Sequence, residues 1–458
     1  MAKVLCITSG LTGILNASFE LVNRLEADGH KIIYASPKPV GNKVEAQGII
    51  YKQLSKIKTE NIIDIPNFKG PLKKVSRLLY KIANRKRLQR DALNNIKPSD
   101  FEDLVKNENP DLLIIDIELH EYILTAYRYE VPMILLSQWF SLWKRKGLPY
   151  LLHDTVPGIG WSGTQFGMDI AWGIVRIKRW WTFLKKKVMS VSTDRRSVLL
   201  KYGKEVNFPL EYLKENNWPG PFTYDQLPVI AMVAEEIELE HSKRPNLTYV
   251  GPMVAENRKE VSNMESINHK ISEVIQIKEN SEAKLLYCSV STLHPGDLDF
   301  INRLIEAVAN KSEWLLIIGL GGMIDDKRFE QLPENVFAFS YIPQLKILRH
   351  ANLSINHGGI HTINECIHNN VPMLVYSGKR SDQNGCAVRV RHHNLGIMAD
   401  KDLDSTDQIR EKIELVLESK TFKKNIIKLN IDSDKYRKNK VLESYICNTL
   451  NLNLAKTI

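Results

Sequence analysis

Short apolar runs alternate with amphipathic stretches along most of the chain. Residues 3–9 (KVLCITS) and 31–36 are such runs, and between them the helical spacing of Leu21 and Leu25 predicts a helix that ends at Gly29. Apolar runs of this length without polar alternation are typical of parallel strands buried on both faces. The sequence therefore predicts a doubly wound α/β domain at the start of the chain.

The same alternation returns in the second half of the chain. Predicted strands cover 111–116, 133–137, 229–234, 284–289, 314–319, 336–340, 353–356 and 372–376, and predicted helices cover 300–310, 344–349, 361–369 and 405–418. A chain of 458 residues exceeds what one core usually supports, so two domains are expected. We place a Rossmann-like domain at 1–245, a linker and surface segment at 246–283, a second Rossmann-like domain at 284–434, and a helix at 435–458 that packs back on the first domain.

One turn in the second half has the composition of an anion site. His357, Gly358 and Gly359 follow a predicted strand and precede a predicted helix. The glycines let the backbone approach a ligand closely, and the free N–H groups at the start of the helix favour an anion. His357 and Thr362 can add side-chain donors. At this point an ordinary strand-to-helix turn remains the alternative.

The wider pattern around this turn resembles the donor-binding signature of the UDP-glycosyltransferase family, which has the GT-B fold of two Rossmann-like domains facing across a cleft. The elements that carry the resemblance are, in order, Pro343-Gln344, His357, Gly359, Thr362, Glu365, Pro372 and Asp382-Gln383-Asn384. So many elements in the same order make the resemblance specific.

The resemblance implies a role for each of these residues in holding a nucleotide sugar. Gln344 would lie near the uracil, and Glu365 would accept hydrogen bonds from the ribose hydroxyls. The diphosphate would be held by His357, Gly359 and Thr362, with Gly358 in the same turn, and by Thr292, which matches a hydroxyl residue of the family. Asp382 and Gln383 would bind the hydroxyls of the transferred sugar.

Two departures from the family's pattern concern the donor. Ile342 stands before Pro343-Gln344, where the family often has an aromatic residue that stacks on the base. The loop before Asp382 is one residue longer than usual and carries Lys379-Arg380. These cations favour an acidic sugar if they face the sugar pocket, and have no such meaning if they point to solvent.

The largest departure lies in the first domain. The family places its catalytic His directly after the residue that aligns with Gly13, and this chain has Ile14, which cannot take a proton. Asp116 ends a predicted strand, where open α/β sheets place ligands, and in the family the matching Asp orients the His. We therefore predict Asp116 or His120 as the base. For His120 the alternative is a residue at a helix start without a catalytic role.

The acceptor side of the cleft is predicted from aromatic and apolar residues. We assign Ile14, Trp139, Phe140 and Trp143 to it, and in the family the region that corresponds to 148–187 lines the acceptor pocket. This region interleaves aromatic and basic side chains, which suits a bulky apolar acceptor and a bilayer interface. A core-packed helix with a basic face is the alternative. RNA binding would use similar residues, but no RNA-binding signature is present.

Residues 69–90 form a second basic and amphipathic stretch. It has no acidic residue, and Leu72, Val75, Leu79 and Ile82 recur at helical spacing among lysines and arginines. The pattern is typical of a helix on an anionic membrane surface. A solvated surface helix is the alternative.

Composition narrows the class of protein further. The apolar fraction of 43% is ordinary for a globular protein, and a net charge of +10 indicates an anionic partner. The five cysteines lack metal-ligand spacing and fit a reducing compartment. We find no run long enough to span a bilayer and no signal peptide. The sequence thus predicts a cytoplasmic protein, with peripheral membrane contact as an option, and neither a metal site, a cofactor nor a nucleic-acid partner.

Together these features predict an inverting UDP-sugar-dependent hexosyltransferase of a bacterial type that acts on small molecules or lipids. The nucleotide sugar would be a co-substrate, and the acceptor would be an apolar or lipid-like alcohol. The alternative is a nucleotide-sugar-binding partner protein without activity, and Ile14 is the residue in its favour.

Overall fold

The computed structural model describes residues 1–58, 62–141, 143–214, 221–259, 265–289, 295–321, 331–379 and 382–457, without the side chains of residues 295–297 and 452–457. Thr292, which the resemblance places near the diphosphate, lies outside the described residues, and so does Arg380.

A seven-stranded parallel sheet forms the centre of the first domain. Its strands are β1 (Lys3–Ile7), β2 (Lys31–Ser36), β3 (Ile50–Gln53), β4 (Leu112–Asp116), β5 (Met133–Ser137), β8 (Val229–Ala231) and β9 (Leu247–Tyr249), while β6 (Leu213–Lys214) and β7 (Thr223–Tyr224) form a separate antiparallel pair. The order in the sheet is β3-β2-β1-β4-β5-β8-β9. Because the order reverses between β1 and β4, a crevice opens at the carboxyl ends of these two strands.

Helices cover both faces of this sheet. They are α1 (Thr12–Ala27), α2 (Gly41–Glu45), α3 (Lys73–Ala83), α4 (Arg85–Asn95), α5 (Ser99–Glu108), α6 (His120–Ala126), α7 (Gln165–Met189) and α8 (Arg195–Glu205). The amphipathic stretch at 69–90 is divided between two helices that meet at Asn84. The Asn84 side chain donates to the Tyr80 carbonyl at 2.9 Å, so it competes with the continuing helix.

The second domain repeats the architecture with six parallel strands. They are β10 (Lys284–Ser289), β11 (Trp314–Gly319), β12 (Val336–Phe339), β13 (Leu353–Asn356), β14 (Met373–Tyr376) and β15 (Gly396–Ala399), in the order β12-β11-β10-β13-β14-β15. The helices are α9 (Glu265–Glu279), α10 (Pro295–Ala309), α11 (Gln344–Leu348), α12 (Ile360–His368), α13 (Gln383–His392), α14 (Thr406–Glu418), α15 (Lys420–Ser433), α16 (Lys435–Lys438) and α17 (Val441–Thr457). The predicted class, two Rossmann-like α/β domains, is confirmed.

A buried ion pair joins the two domains. Arg389 on α13 donates to Glu238, which follows β8, through Nε at 2.7 Å and also through Nη2. The backbone N–H of Ser141 donates to the same carboxylate at 2.7 Å, and the guanidinium lies over the Phe140 ring, 4.1 Å from its centroid. Because Arg389 and Glu238 are only 2% and 4% exposed and are well hydrogen-bonded, the pair constrains how the domains meet.

The last helix returns to the first domain. Leu442 and Ile446 of α17 lie in the same apolar cluster as Leu21 and Leu25 of α1. Within the part of the chain that the structure describes, no helix has the combination of length and apolarity that crossing a membrane would require.

The interdomain ion pair generates a prediction about stability. Arg389→Met leaves the Glu238 carboxylate buried without its cation, so we expect the free energy of unfolding to fall by about 3–5 kcal/mol. Lys428→Met is the matched control, because Lys428 forms an exposed pair with Asp432 (3.1 Å) whose loss costs under about 0.5 kcal/mol. Urea denaturation followed by circular dichroism measures both. Equal losses would show that the interdomain pair contributes no more than a surface pair.

Candidate active site

The donor turn lies at the point where the second sheet reverses its strand order. His357 directly follows β13, and its Nδ1 lies 3.3 Å from the carbonyl oxygen of Ser289 at the end of β10. The turn therefore spans the two strands between which the order reverses, which is where open α/β sheets bind ligands. Its residues lead directly into α12, whose first-turn N–H groups have no acceptor within the helix.

Gly358 is required by both its conformation and its surroundings. Its φ of +82° lies in the region that favours glycine, and its N–H donates to the Asn356 side chain at 2.9 Å. A Cβ at this position would lie 2.8 Å from the carbonyl oxygen of Gln383. The turn is thus packed directly against the start of α13, which brings the predicted diphosphate residues beside the predicted sugar residues.

Asp382 connects these two groups. Its carboxylate accepts hydrogen bonds from the Ile360 N–H at the start of α12 and from the Cys386 thiol at 3.1 Å. Burial raises the pKa of Asp382 to about 6. Gln383 follows, and its Oε1 is buried with no hydrogen-bond partner among the described residues. Both side chains therefore have unused acceptor capacity for sugar hydroxyls.

Gln344 and Glu365 are held together beside the turn. The Gln344 side chain accepts from Tyr287 Oη at 2.9 Å and donates to Glu365 Oε2. Glu365 is 6% exposed, and its Oε1 lies 3.3 Å from Nη1 of Arg258, which comes from the segment between the domains. The structure thus brings together Gln344, Glu365, His357, Gly358, Gly359, Asp382 and Gln383, with a half-buried Thr362 on α12.

Lys379 points away from this group. Its Nζ lies 3.2 Å from Asp400 Oδ2 and 3.0 Å from Asp402 Oδ2 in an exposed cluster. This arrangement matches the solvent-facing alternative for Lys379 and gives no support for an acidic sugar.

Across the cleft, Asp116 lies at the matching point of the first sheet. Its carboxylate accepts from the Ser9 N–H after β1 and from the Glu118 N–H, both at 3.1 Å. Asp116 therefore connects the ends of β1 and β4, the two strands between which the strand order reverses. Burial raises its pKa, and the side chain has no exposed surface.

Glu118 is a carboxylate that the sequence analysis did not select. It is half-buried, and burial, the charge of Asp116 and the charge of Asp382 together raise its pKa to about 8, against the opposing effects of the Trp139 hydrogen bond and of Arg195. Asp382, which belongs to the other domain, is near enough to contribute the smallest of these effects. The position of Glu118 two residues after Asp116 was a signal of a role in the site, but its burial and the charges around it were not visible in the sequence.

His120 has a more enclosed position. Its Nδ1 lies 2.9 Å from Tyr224 Oη, and its ring packs on Phe222 with centroids 4.8 Å apart. Burial lowers its pKa well below the ordinary value, so the imidazole is neutral. Of the two predicted bases, Asp116 thus lies next to Glu118, whereas His120 packs among the aromatic rings of the first domain.

The four predicted acceptor residues are not brought together. Trp139 donates to Glu118 and borders the cleft. Ile14 has no exposed surface and packs with the residues of β1 in the apolar cluster under α1, so the structure places it in the core rather than on the cleft. Phe140 lies under Arg389 at the domain interface, and Trp143 lies under Arg244, 3.5 Å from ring centroid to Cζ.

His361 reaches the first glycine turn from the opposite domain. A Cβ added to Gly13 would lie 2.7 Å from His361 Cδ2, and His361 Nε2 lies 3.2 Å from Gln138 Oε1. Because an amide oxygen only accepts, Nε2 carries the proton and Nδ1 carries the lone pair. That Nδ1 is buried and unpartnered among the described residues, and burial lowers the pKa of His361 to about 4.

No group of three or more His, Cys, Asp or Glu side chains suited to holding a metal ion occurs within the described ranges.

Comparison with known proteins agrees with this geometry. A model of the family described as UDP-glucoronosyl and UDP-glucosyl transferase matches residues 304–439. YdhE of Bacillus subtilis (strain 168), an uncharacterized UDP-glucosyltransferase, is 29% identical over 154 residues, which are 34% of this chain and 38% of that protein. The NDP-glycosyltransferase YjiC of the same organism is 22% identical over 410 residues, which are 88% of this chain and 86% of that protein.

The solved structures extend the likeness to the whole fold. The crystal structure of the glycotransferase of kitacinnamycin has a TM-score of 0.63 at 17% identity and covers 97% of this chain and 98% of its own. Two Rossmann-like domains that face each other across a cleft with this topology define the GT-B fold of glycosyltransferases. The family match over residues 304–439, the relatives and the solved structures together support a glycosyltransferase enzyme of the UDP-glycosyltransferase type with the GT-B fold.

Gly358 provides a direct test of the donor turn. In Gly358→Ala the new methyl group meets the Gln383 carbonyl, so the turn and α13 must separate, and we expect at least about a tenfold loss of UDP affinity by isothermal titration. Gly48→Ala is the control, because Gly48 has a similar φ of +86° but nothing within 4 Å of the added Cβ. The Gly48→Ala variant has the same backbone strain at a positive φ as Gly358→Ala, yet it should bind UDP like the unmodified protein. Equal UDP affinity in the two variants would contradict the assignment of the turn.

Proposed function

We propose that the enzyme transfers a sugar from a UDP-sugar to the hydroxyl of an apolar, lipid-like acceptor with inversion at the anomeric carbon, in the cytoplasm and at the inner face of a membrane. The observation that carries the proposal is that a donor turn at the reversal point of one sheet faces a carboxylate pair at the reversal point of the other. Glycosyl transfer needs these two sites within one cleft.

The donor half follows from the contacts around α12. Gln344 and Glu365 form a hydrogen-bonded pair beside the turn, suited to a base and a ribose. His357, the N–H groups that begin α12 and the Thr362 hydroxyl would stabilise the departing diphosphate, where negative charge develops. The proposal assigns no cofactor. YdhE is called a UDP-glucosyltransferase, whereas YjiC is called an NDP-glycosyltransferase. The names of these relatives do not agree on one base, so uridine as the base is an element of this proposal.

The base is best assigned to Glu118, with Asp116 as its neighbour. Glu118 lies beside the sugar-binding Asp382, whereas the Asp116 carboxylate is fully buried and held by two backbone N–H groups. A group with a pKa near the working pH is an efficient base for an alcohol. The His361 nitrogen, with a pKa of about 4, is a weaker base.

The three carboxylates of the cleft support the same chemistry. Burial and the charges of Asp116 and Asp382 raise the pKa of Glu118 to about 8, so the carboxylates of the cleft are all ionised only above that pH. A sugar whose bond to the leaving group is breaking gains positive, oxocarbenium-like character. The carboxylates would stabilise that charge, and the Glu118 carboxylate would take the acceptor proton as the new bond forms.

Release of UDP tests the proposed reaction. We expect turnover with one of a panel of UDP-sugars and a mixed set of apolar alcohols and lipids, and we expect His357→Ala and Glu118→Gln each to lower it by about 10²-fold or more. His368→Ala is the control, since His368 lies in an exposed pair with Glu256, 3.1 Å apart. UDP-sugar binding without turnover on any acceptor of the panel would overturn the proposal.

The raised pKa of Glu118 predicts the pH dependence. Because only the carboxylate accepts a proton, kcat/KM should rise with pH through a value near 8 and level off above it. Asp116→Asn removes a negative neighbour, so the acidic limb should move to lower pH, while Glu118→Gln should remove the limb. A pH profile that is unchanged in both variants would exclude Glu118 as the base.

A further inference from the structure

Helix α7 carries two apolar faces on opposite sides. Its buried face includes Met168, Trp172 and Val175, which anchor the first half of the helix to the protein. The opposite face exposes a continuous stripe with steps of three and four residues along the whole helix: Phe166, Ile170, Ile174, Ile177, Trp181, Leu184 and Val188. At about 1.5 Å per residue the stripe is roughly 33 Å long. A solvated helix would have polar residues on this face.

Basic side chains flank the stripe. On one side lie Arg176 and Lys187, and on the other lie Lys178 and Lys185, all exposed. The only acidic residue of α7 is Asp169, which is engaged by Lys144 at 2.7 Å. Trp181 is 60% exposed at the centre of this arrangement, and Trp180 beside it is 52% exposed.

A second exposed amphipathic helix meets the end of α7. Helix α3 has no buried residue, and it exposes Leu79 and Ile82 by 61% and 55%. Its Lys81 donates through Nζ to the carbonyl oxygen of Met189, the last residue of α7, at 2.9 Å. The exposed apolar and basic side chains of α3 and α7 form what we call the α3–α7 surface. Two stretches 80 residues or more apart in sequence thus share one location.

We propose that the α3–α7 surface docks on an anionic lipid bilayer. Charge complementarity selects this occupant: the apolar stripes are bordered by cations, and no acidic residue occurs between residues 69 and 90. Amphipathic helices with Trp and Leu on one face and Lys and Arg beside it lie in the plane of a bilayer interface. Each cation near an anionic surface adds roughly 1 kcal/mol of attraction. A protein partner with a long apolar groove would not need cations on both flanks.

A cavity lies at the same location as this surface. It has a volume of about 180 Å³ and lies between α3 and the start of α8, with Arg77, Lys81 and Arg195 among its lining residues and isoleucines on its other wall. Arg195 binds the Glu121 carboxylate at 2.9 Å and acts electrostatically on Glu118. Bilayer docking would therefore hold the acceptor side of the cleft at the membrane. The role of docking in holding the acceptor side at the membrane rests on the proposed function, but the docking itself does not.

Vesicle co-sedimentation of the full chain, without sugar or acceptor, tests the docking alone. We expect binding to vesicles that contain phosphatidylglycerol, weaker binding to phosphatidylcholine alone, and weakening by salt. Ile177→Glu should lower the partition coefficient at least about tenfold. Ile431→Glu is the matched control, because Ile431 is also an exposed helical isoleucine (65%, against 61% for Ile177), and it should bind like the unmodified protein.

A charge exchange provides the second arm. Lys185→Glu with Lys187→Glu should abolish the preference for anionic vesicles, whereas Lys424→Glu on α15 should retain it.

The absence of vesicle binding, equal binding to neutral and anionic vesicles, or an equal loss in Ile177→Glu and Ile431→Glu would overturn the proposal. A dimer in analytical ultracentrifugation that Ile177→Glu disrupts, with no vesicle binding, would assign the surface to a second copy instead. UDP titration of the same samples reports the donor site separately.

Discussion

The buried ion pair between Arg389 and Glu238 is the constraint on which the active site depends. Each domain has its own core and its own crevice, but neither crevice alone can transfer a sugar. The pair places α13, which directly follows Asp382, against the segment that follows β8. A buried charge without its partner would be costly, so the arrangement tolerates little sliding of one domain on the other. The ion pair thereby sets the distance between the donor turn and the carboxylates that face it.

The electrostatics of the cleft follow from this docking. Glu118 acquires a pKa near 8 because it is buried and because Asp116 lies beside it, and Asp382 of the other domain adds a smaller effect. The two crevices differ in electrostatic character: the start of a helix supplies N–H groups on one side, and carboxylates lie on the other. This polarity fits a reaction in which a diphosphate leaves and an alcohol loses its proton.

The sequence was informative wherever a residue's role depends on its immediate neighbours. Strands such as β10 and β13 were predicted because both faces are buried, which makes their sequences continuously apolar. The donor turn was found for a similar reason, since a strand end, two glycines and a helix start are adjacent in the chain. Glu118 and His361 were missed, because their importance comes from Asp382, Gly13 and Gln138, which lie far away in sequence. Ile14 was assigned to the acceptor side because nothing in the sequence shows that its side chain turns into the core.

The contact between His361 and Gly13 has a consequence for the order of events in catalysis. At this point the domains are so close that there is no space for even a methyl group on Gly13. Passage of a substrate at this point would require the two domains to move apart there. Such a movement would break the hydrogen bond between His361 Nε2 and Gln138 Oε1. Domain motions of this kind take microseconds to milliseconds, and they set the turnover of many enzymes whose chemistry is fast.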